Sequence, residues 1–173
     1  MILLLGLLLP SGGAKAQQGV PSESQVKAAF LFNFAKFVEW PAAAFADAQA
    51  PLCIGVLGEN PFGPDLEKFV RDKSVNRRSI TVKECRTLDE AKRCHLLFIS
   101  VSEKKKLPEI FAGLGGTNVL TVSETEGFIL SGGMINLFRE SNKFRFEIND
   151  KMAKKAGLKI DSKLLELSRK PTN

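Results

Sequence analysis

Leu52 to Arg71 reads LCIGVLGENPFGPDLEKFVR. Leu52 to Leu57 carries no charge and predicts a buried strand; Gly58 closes it, and Pro64 to Arg71 predicts the helix that follows. A strand that is apolar on both faces and leads into a helix is a βα unit of a parallel sheet.

The same alternation extends on either side. Ser22 to Trp40 has a helical pattern, opened by Ser22 and Gln25 in capping-box spacing and stopped before Pro41. Ala42 to Pro51 is a connector of small residues. Ile80 to Lys83 predicts a second strand, Leu88 to Lys92 a helical turn, and His95 to Val101 a third, fully buried strand. Pro108 to Leu114 continues a helix begun near Glu103 and ends at Gly115-Gly116. Asn118 to Val122 predicts a fourth strand. Met134 to Arg139 and Phe144 to Ile148 alternate in polarity around a short polar loop, a hairpin signal. Two short helices follow, Asp150 to Ala156 and Asp161 to Ser168, separated by Gly157. The expected architecture is a single α/β domain: a mixed, mostly parallel sheet of about six strands, helices on both faces, a C-terminal β-hairpin and two short helices.

The N-terminus sets the expected compartment. Ile2 to Pro10 is apolar but too short to span a bilayer, and Ala14-Lys15-Ala16 has the A-x-A form that a signal peptidase cuts. Residues 1–16 therefore read as a signal peptide and 17–173 as an exported α/β domain beginning at Gln17. No later segment has the ~18 apolar residues a span needs, so direct membrane insertion is not expected. The chain of 173 residues carries a formal charge of +6. In an exported protein that excess meets lipid headgroups, wall polymer and acidic protein faces rather than nucleic acid. Its one tight basic run, Lys104-Lys105-Lys106, reads as the solvated first turn of a helix.

Three cysteines in an oxidising compartment allow one disulfide and one leftover thiol, and spacing does not choose among the pairings. Topology favours Cys53 with Cys94. These head the first and third strands, and parallel neighbours ~4.8 Å apart suit a bridge whose Cα atoms lie ~4.4 to 6.8 Å apart. Cys85 follows the second strand and is expected at the opposite end of the sheet, although a Cys85–Cys94 pair stays open. No zinc site or other cofactor is expected: the single histidine, His95, heads a buried strand and no C-x-x-C occurs.

On a helical wheel Val26, Phe30, Leu31, Phe34, Phe37 and Val38 share a core arc, whereas Phe32 falls among Asn33, Lys36 and Glu39. Phe32 is thus either covered by the C-terminal helices or held out for a partner. Trp40 reads as closing the core. Glu147 and Asn149 alternate with Phe144, Phe146 and Ile148 and face away from that apolar side, as a polar site or towards solvent. Gly58 to Gly63 lacks the Lys-Ser/Thr ending of a P-loop and reads as a tight βα connection. With no G-x-S-x-G and no histidine placed to serve a nucleophile, the residues point to binding rather than catalysis.

Seven segments in order resemble the YfiR family of periplasmic regulators: KAAFLFNFAKFVEWP (27–41), IGVLGENPFG (54–63), CHLLFIS (94–100), VLTVS (119–123), FILSGGMINL (128–137), FEIN (146–149) and LKIDSKLLEL (158–167). The resemblance implies an α/β periplasmic protein, often a homodimer, that binds the periplasmic sensor domain of an inner-membrane diguanylate cyclase of the YfiN type. It would repress that cyclase and lower cyclic di-GMP. Cys53 and Cys94 match the positions of a family disulfide. A second family pair has no counterpart, because Gly132, Gly133 and Met134 occupy its region without cysteine. The rival readings are a periplasmic small-molecule or cell-wall-fragment binding module using the loops at the strand C-termini, and, behind it, a hydrolase.

Overall fold

The structure is a computed structural model that describes residues 19–170, so the signal-peptide segment 1–16 lies outside the described residues. Ser22 and Gln25 form the expected capping box, Ser22 Oγ accepting from the Gln25 amide and the Gln25 side chain accepting from the Ser22 amide. They start α1 (Glu23–Lys36). The helix ends four residues earlier than its apolar pattern, because Val38 and Glu39 leave it as β1 (Val38–Glu39).

β2 (Leu52–Leu57) is the expected strand, followed by α2 (Asp65–Val70). A short β3 (Ser74–Val75) then turns through Asn76 and Arg77, at φ 51° and 66°, into β4 (Arg78–Cys85). Both turn residues lie in the left-handed region that two-residue hairpins use. α3 (Leu88–Ala91), β5 (Leu96–Ile99) and a 3-10 turn over Val101–Lys106 lead into α4 (Leu107–Leu114). The basic triplet Lys104 to Lys106 falls in that exposed turn. β6 (Leu120–Ser123) precedes the hairpin of β7 (Ile135–Glu140) and β8 (Lys143–Ile148). α5 (Asp150–Lys155), β9 (Lys159–Ile160) and α6 (Ser162–Leu167) complete the chain.

The main sheet has seven strands in the order β3-β4-β2-β5-β6-β7-β8, one more than expected. β3–β4 and β7–β8 are antiparallel, and the pairings between β4 and β7 are parallel. β1 and β9 form a separate antiparallel pair, Val38 opposite Ile160. Their hydrogen bonds, unavailable to an isolated segment, are what overrule helical periodicity at Val38.

Strand alternation divides the core between the two faces of the sheet. Ile54, Val56, Leu96, Phe98, Leu120 and Val122 meet α1, α2 and the C-terminal helices through Leu31, Phe34, Leu66, Ala153 and Leu164. Leu57, Leu97 and Ile99 point the other way, onto α3, α4 and Phe128. Burying a side chain of this size contributes ~1.5–3 kcal/mol, so a dozen such residues outweigh any surface interaction described below.

Candidate functional site

Phe32 packs against the edge of the core, and the ring that meets it comes from α2 rather than from the C-terminal helices. It is half-buried against α2, its ring edge-on to Phe69 with centroids 5.9 Å apart at 66°. Lys36 Nζ and Lys73 Nζ stand 5.7 and 5.9 Å from the Phe32 ring, and Lys73 Nζ 4.2 Å from that of Phe69. Between α1 and α2 runs a groove of about 600 Å³ walled by Val26, Ala29, Phe30 and Phe69, with Lys68 and Lys73 on its rim. Ser22 and Ser24 hydroxyls donate to the Asp65 carboxylate and join the starts of the two helices. An aromatic pair under ammonium groups, beside an apolar groove, is a surface for an anionic amphipathic partner.

Glu147 and Asn149 lie elsewhere. Phe146 and Ile148 face α1, so Glu147 points to the opposite side of the sheet, where its carboxylate accepts from Asn136 Nδ2 at 3.2 Å. The main chain at Arg169 pairs beside it, its amide donating to Phe146 O at 2.8 Å. Asn149 is the N-cap of α5, its Oδ1 accepting from the Met152 amide at 3.1 Å. The residues expected to share a contact role are thus set apart by the sheet, and Asn149 has a structural task of its own.

The three thiols come together, which corrects the expectation for Cys85. Cys53 Sγ is 3.2 Å and Cys85 Sγ 3.7 Å from Cys94 Sγ. By Cα position Cys85 is at the far end, opposite Leu57. Gly55 lies between, and α3 brings the chain back across it, so the sulfurs meet in the space its missing side chain leaves. A methyl group at Gly55 would stand 2.7 Å from Cys94 Sγ and 3.1 Å from Cys85 Sγ. All three are free thiols here, Cys53 half-buried and the other two buried. The hydrogen bond from Cys94 brings the Cys53 thiol down to about 7, and the same contacts together with burial push Cys94 well above the ordinary range.

His95 anchors this end of the sheet. Its Nδ1 accepts from the Cys53 amide at 3.0 Å, which leaves Nε2 to donate to Ala44 O at 3.1 Å. Burial lowers its pKa, and Phe45 stacks on the ring at 4.3 Å. With both nitrogens engaged it has no lone pair to offer a substrate. Trp40 closes the same corner, its indole N–H shared between His95 O and Asn118 O at 3.1 and 3.0 Å. Among the described residues no group of three His, Cys, Asp or Glu is placed to hold a metal ion.

Two features escaped sequence reading. Lys27 is 6% exposed and bridges Glu23 Oε1 and Glu124 Oε2, each at 2.7 Å. Burial works to lower its pKa, but the two carboxylates outweigh it and raise it. The signal was present: Lys27 stands four residues before Leu31, on the buried arc. The second is the lining of a crevice of about 490 Å³ at the carboxyl ends of β2 and β5, where the strand C-termini were expected to offer a site but Glu59, Asn60, Ser100, Ser102 and Glu124 were not singled out as its walls. From β2 the chain passes to β4 on one side and then to β5 on the other, so the crevice sits at the topological switch point.

A doubly wound sheet with helices on both faces and a crevice at its switch point defines a single domain of α/β class. Residues 24–169 match the YfiR/HmsC-like family, and the chain belongs to it. That family is periplasmic and regulatory and is associated in general with control of a diguanylate cyclase. Among the described residues no helix is long and apolar enough to cross a membrane.

Proposed function

We propose that the protein is exported, cleaved after Ala16, and acts without catalysis as a repressor of an inner-membrane diguanylate cyclase. It binds that enzyme's periplasmic sensor domain and holds it in its inactive state. The carrying observation is the α1–α2 surface, where Phe32 and Phe69 lie under Lys36 and Lys73 beside an apolar groove. A repressor needs only higher affinity for the inactive state, and a tenfold difference takes ~1.4 kcal/mol. The protein works as a homodimer in this reading, checked by sedimentation over a range of concentrations.

Deletion of the gene should raise intracellular cyclic di-GMP where the protein and its cyclase are both present; unchanged cyclic di-GMP defeats the proposal. Phe32→Ala should weaken capture of the sensor domain by ~1–3 kcal/mol, the range for interface aromatics, with a smaller loss of stability from the Phe69 contact. Intact mass of the periplasmic fraction checks cleavage at Gln17. A second reading, a small-molecule or wall-fragment binding module, is favoured by the switch-point crevice with its Ser100 and Ser102 hydroxyls. Ser102→Leu would abolish ligand-induced thermal shifts under that reading and leave sensor-domain capture intact.

A further inference from the structure

Cys94 lies within van der Waals reach of two sulfurs, not one, at 3.2 Å from Cys53 and 3.7 Å from Cys85. The first pair closes a loop spanning 41 residues and the second a loop spanning 9. Neither contact requires the strands to move, since both sulfurs reach over the bare backbone of Gly55. Only Cys53 is open to solvent. The cluster therefore has an outer thiol, a shared central thiol and an inner thiol, the last two packed in the α3–α4 core.

We propose that these three cysteines form a thiol–disulfide relay, in which Cys53 accepts a disulfide from a small-molecule disulfide, Cys94 resolves it, and Cys85 then draws Cys94 into a second, buried bridge. Cys53 thiolate attacks one sulfur of the small disulfide, whose S–S bond breaks and expels one thiol. Cys94 attacks Cys53 Sγ, its proton passing to the small thiolate that departs, so that Cys53–Cys94 forms and the second thiol is expelled; two protein thiols are oxidised and the small disulfide is reduced by two electrons. Cys85 loses its proton and attacks Cys94 Sγ, the Cys53–Cys94 bond breaks, and Cys53 leaves as a thiolate that recovers a proton. This last step is an isomerisation with no net oxidation. Its product frees the exposed thiol for a second encounter and ties the end of β4 to the turn before β5. The depressed pKa of Cys53 suits it to the receiving role. The relay is independent of the repressor reading.

The experiment uses the whole exported chain, reduced and then treated with oxidised glutathione under native conditions. Samples are acid-quenched over time, free thiols are alkylated, and peptides are mapped without reduction. Cys53–Cys94 should appear first and Cys85–Cys94 later at its expense, after the glutathione has been removed. Free-thiol label should move from Cys85 to Cys53 as the second bridge replaces the first, with hardly any on Cys94. Cys53→Ser should slow formation of Cys85–Cys94 at least ~tenfold, because the exposed acceptor is gone. Label confined to Cys85 with a lasting Cys53–Cys94 bridge overturns the relay, as does a dominant Cys53–Cys85 bridge or no bridge at all. The labelling of the unaltered chain decides the matter even if the variant fails to fold.

Discussion

The two faces of the sheet are packed by different means. On the α1–α2 side large rings fill the space: Phe34 is fully buried, with Phe30 and Phe146 at 5.9 and 5.2 Å, and Phe62 meets Phe98 at 4.9 Å. On the α3–α4 side Phe128 is buried as fully among leucine and isoleucine, but next to it the chain closes over glycine and sulfur. Rings interlock in few ways and hold one arrangement, whereas a glycine floor under three thiols accommodates two sulfur pairings with little change. One face is filled by interlocking rings; on the other, a bare glycine leaves space beside three sulfurs.

Phe34→Ala should show the largest difference between the faces. It is expected to cost ~3–5 kcal/mol, against ~1–3 kcal/mol for Phe111→Ala, whose ring is half-buried against Phe128. Urea unfolding of both variants checks this, and equal losses would show that Phe34 is packed no more tightly than the half-buried Phe111.

Lys27→Met probes the charged seam between α1 and β6 and should cost ~1–3 kcal/mol, since the carboxylates it strands are partly solvated. The pH dependence has a definite sign. The Lys27 hydrogen bond holds Glu23 below its ordinary 4.5, so that contribution is complete above 4.5 and lost as pH falls through the lower folded value. Lys27 is held above its ordinary 10.5, so its contribution is complete below 10.5 and lost as pH rises through the higher folded value. The gap between variant and parent should be widest near neutrality and narrow at both extremes.

Gly55→Ala tests the sulfur face directly. Overpacking there should cost ~1–3 kcal/mol and push the sulfurs apart, reducing Cys85–Cys94 more than Cys53–Cys94. Unchanged yields of both bridges would mean that the glycine floor is not what brings the thiols together. The smallest effect is a titration: iodoacetamide labelling of Cys53 in the reduced protein should be half-maximal near the value of about 7 to which Cys94 lowers it, below that of an ordinary thiol. Cys94→Ala, which removes the donor, should move it upward.

Much of the fold was legible locally. The Leu52–Leu57 strand, the Ser22–Gln25 capping box, the helical turn from Leu88 and the β7–β8 hairpin each announce themselves in a pattern a few residues long, and all stand where their patterns put them. β3 was missed because two residues carry too little periodicity, although Asn76 was a turn signal. Among the candidate site residues, Phe32 was placed off the core arc by the helical wheel, yet it packs against the core's edge, because its partner Phe69 belongs to another helix and no spacing could join them. Asn149 was read by alternation alone, which is blind to the cap it makes for the next helix.

The sequence by itself determined the alternation of buried strands and short helices, the division of each strand into two faces, and the family, because side-chain periodicity and local capping act within a few residues. Only the tertiary structure decided which residues from distant segments meet: Val38 with Ile160, Lys27 with Glu124, Phe32 with Phe69, and Cys85 with Cys94 over Gly55. Those meetings depend on strand order and on where each connection crosses the sheet, and these follow from how the whole chain buries its apolar surface at once.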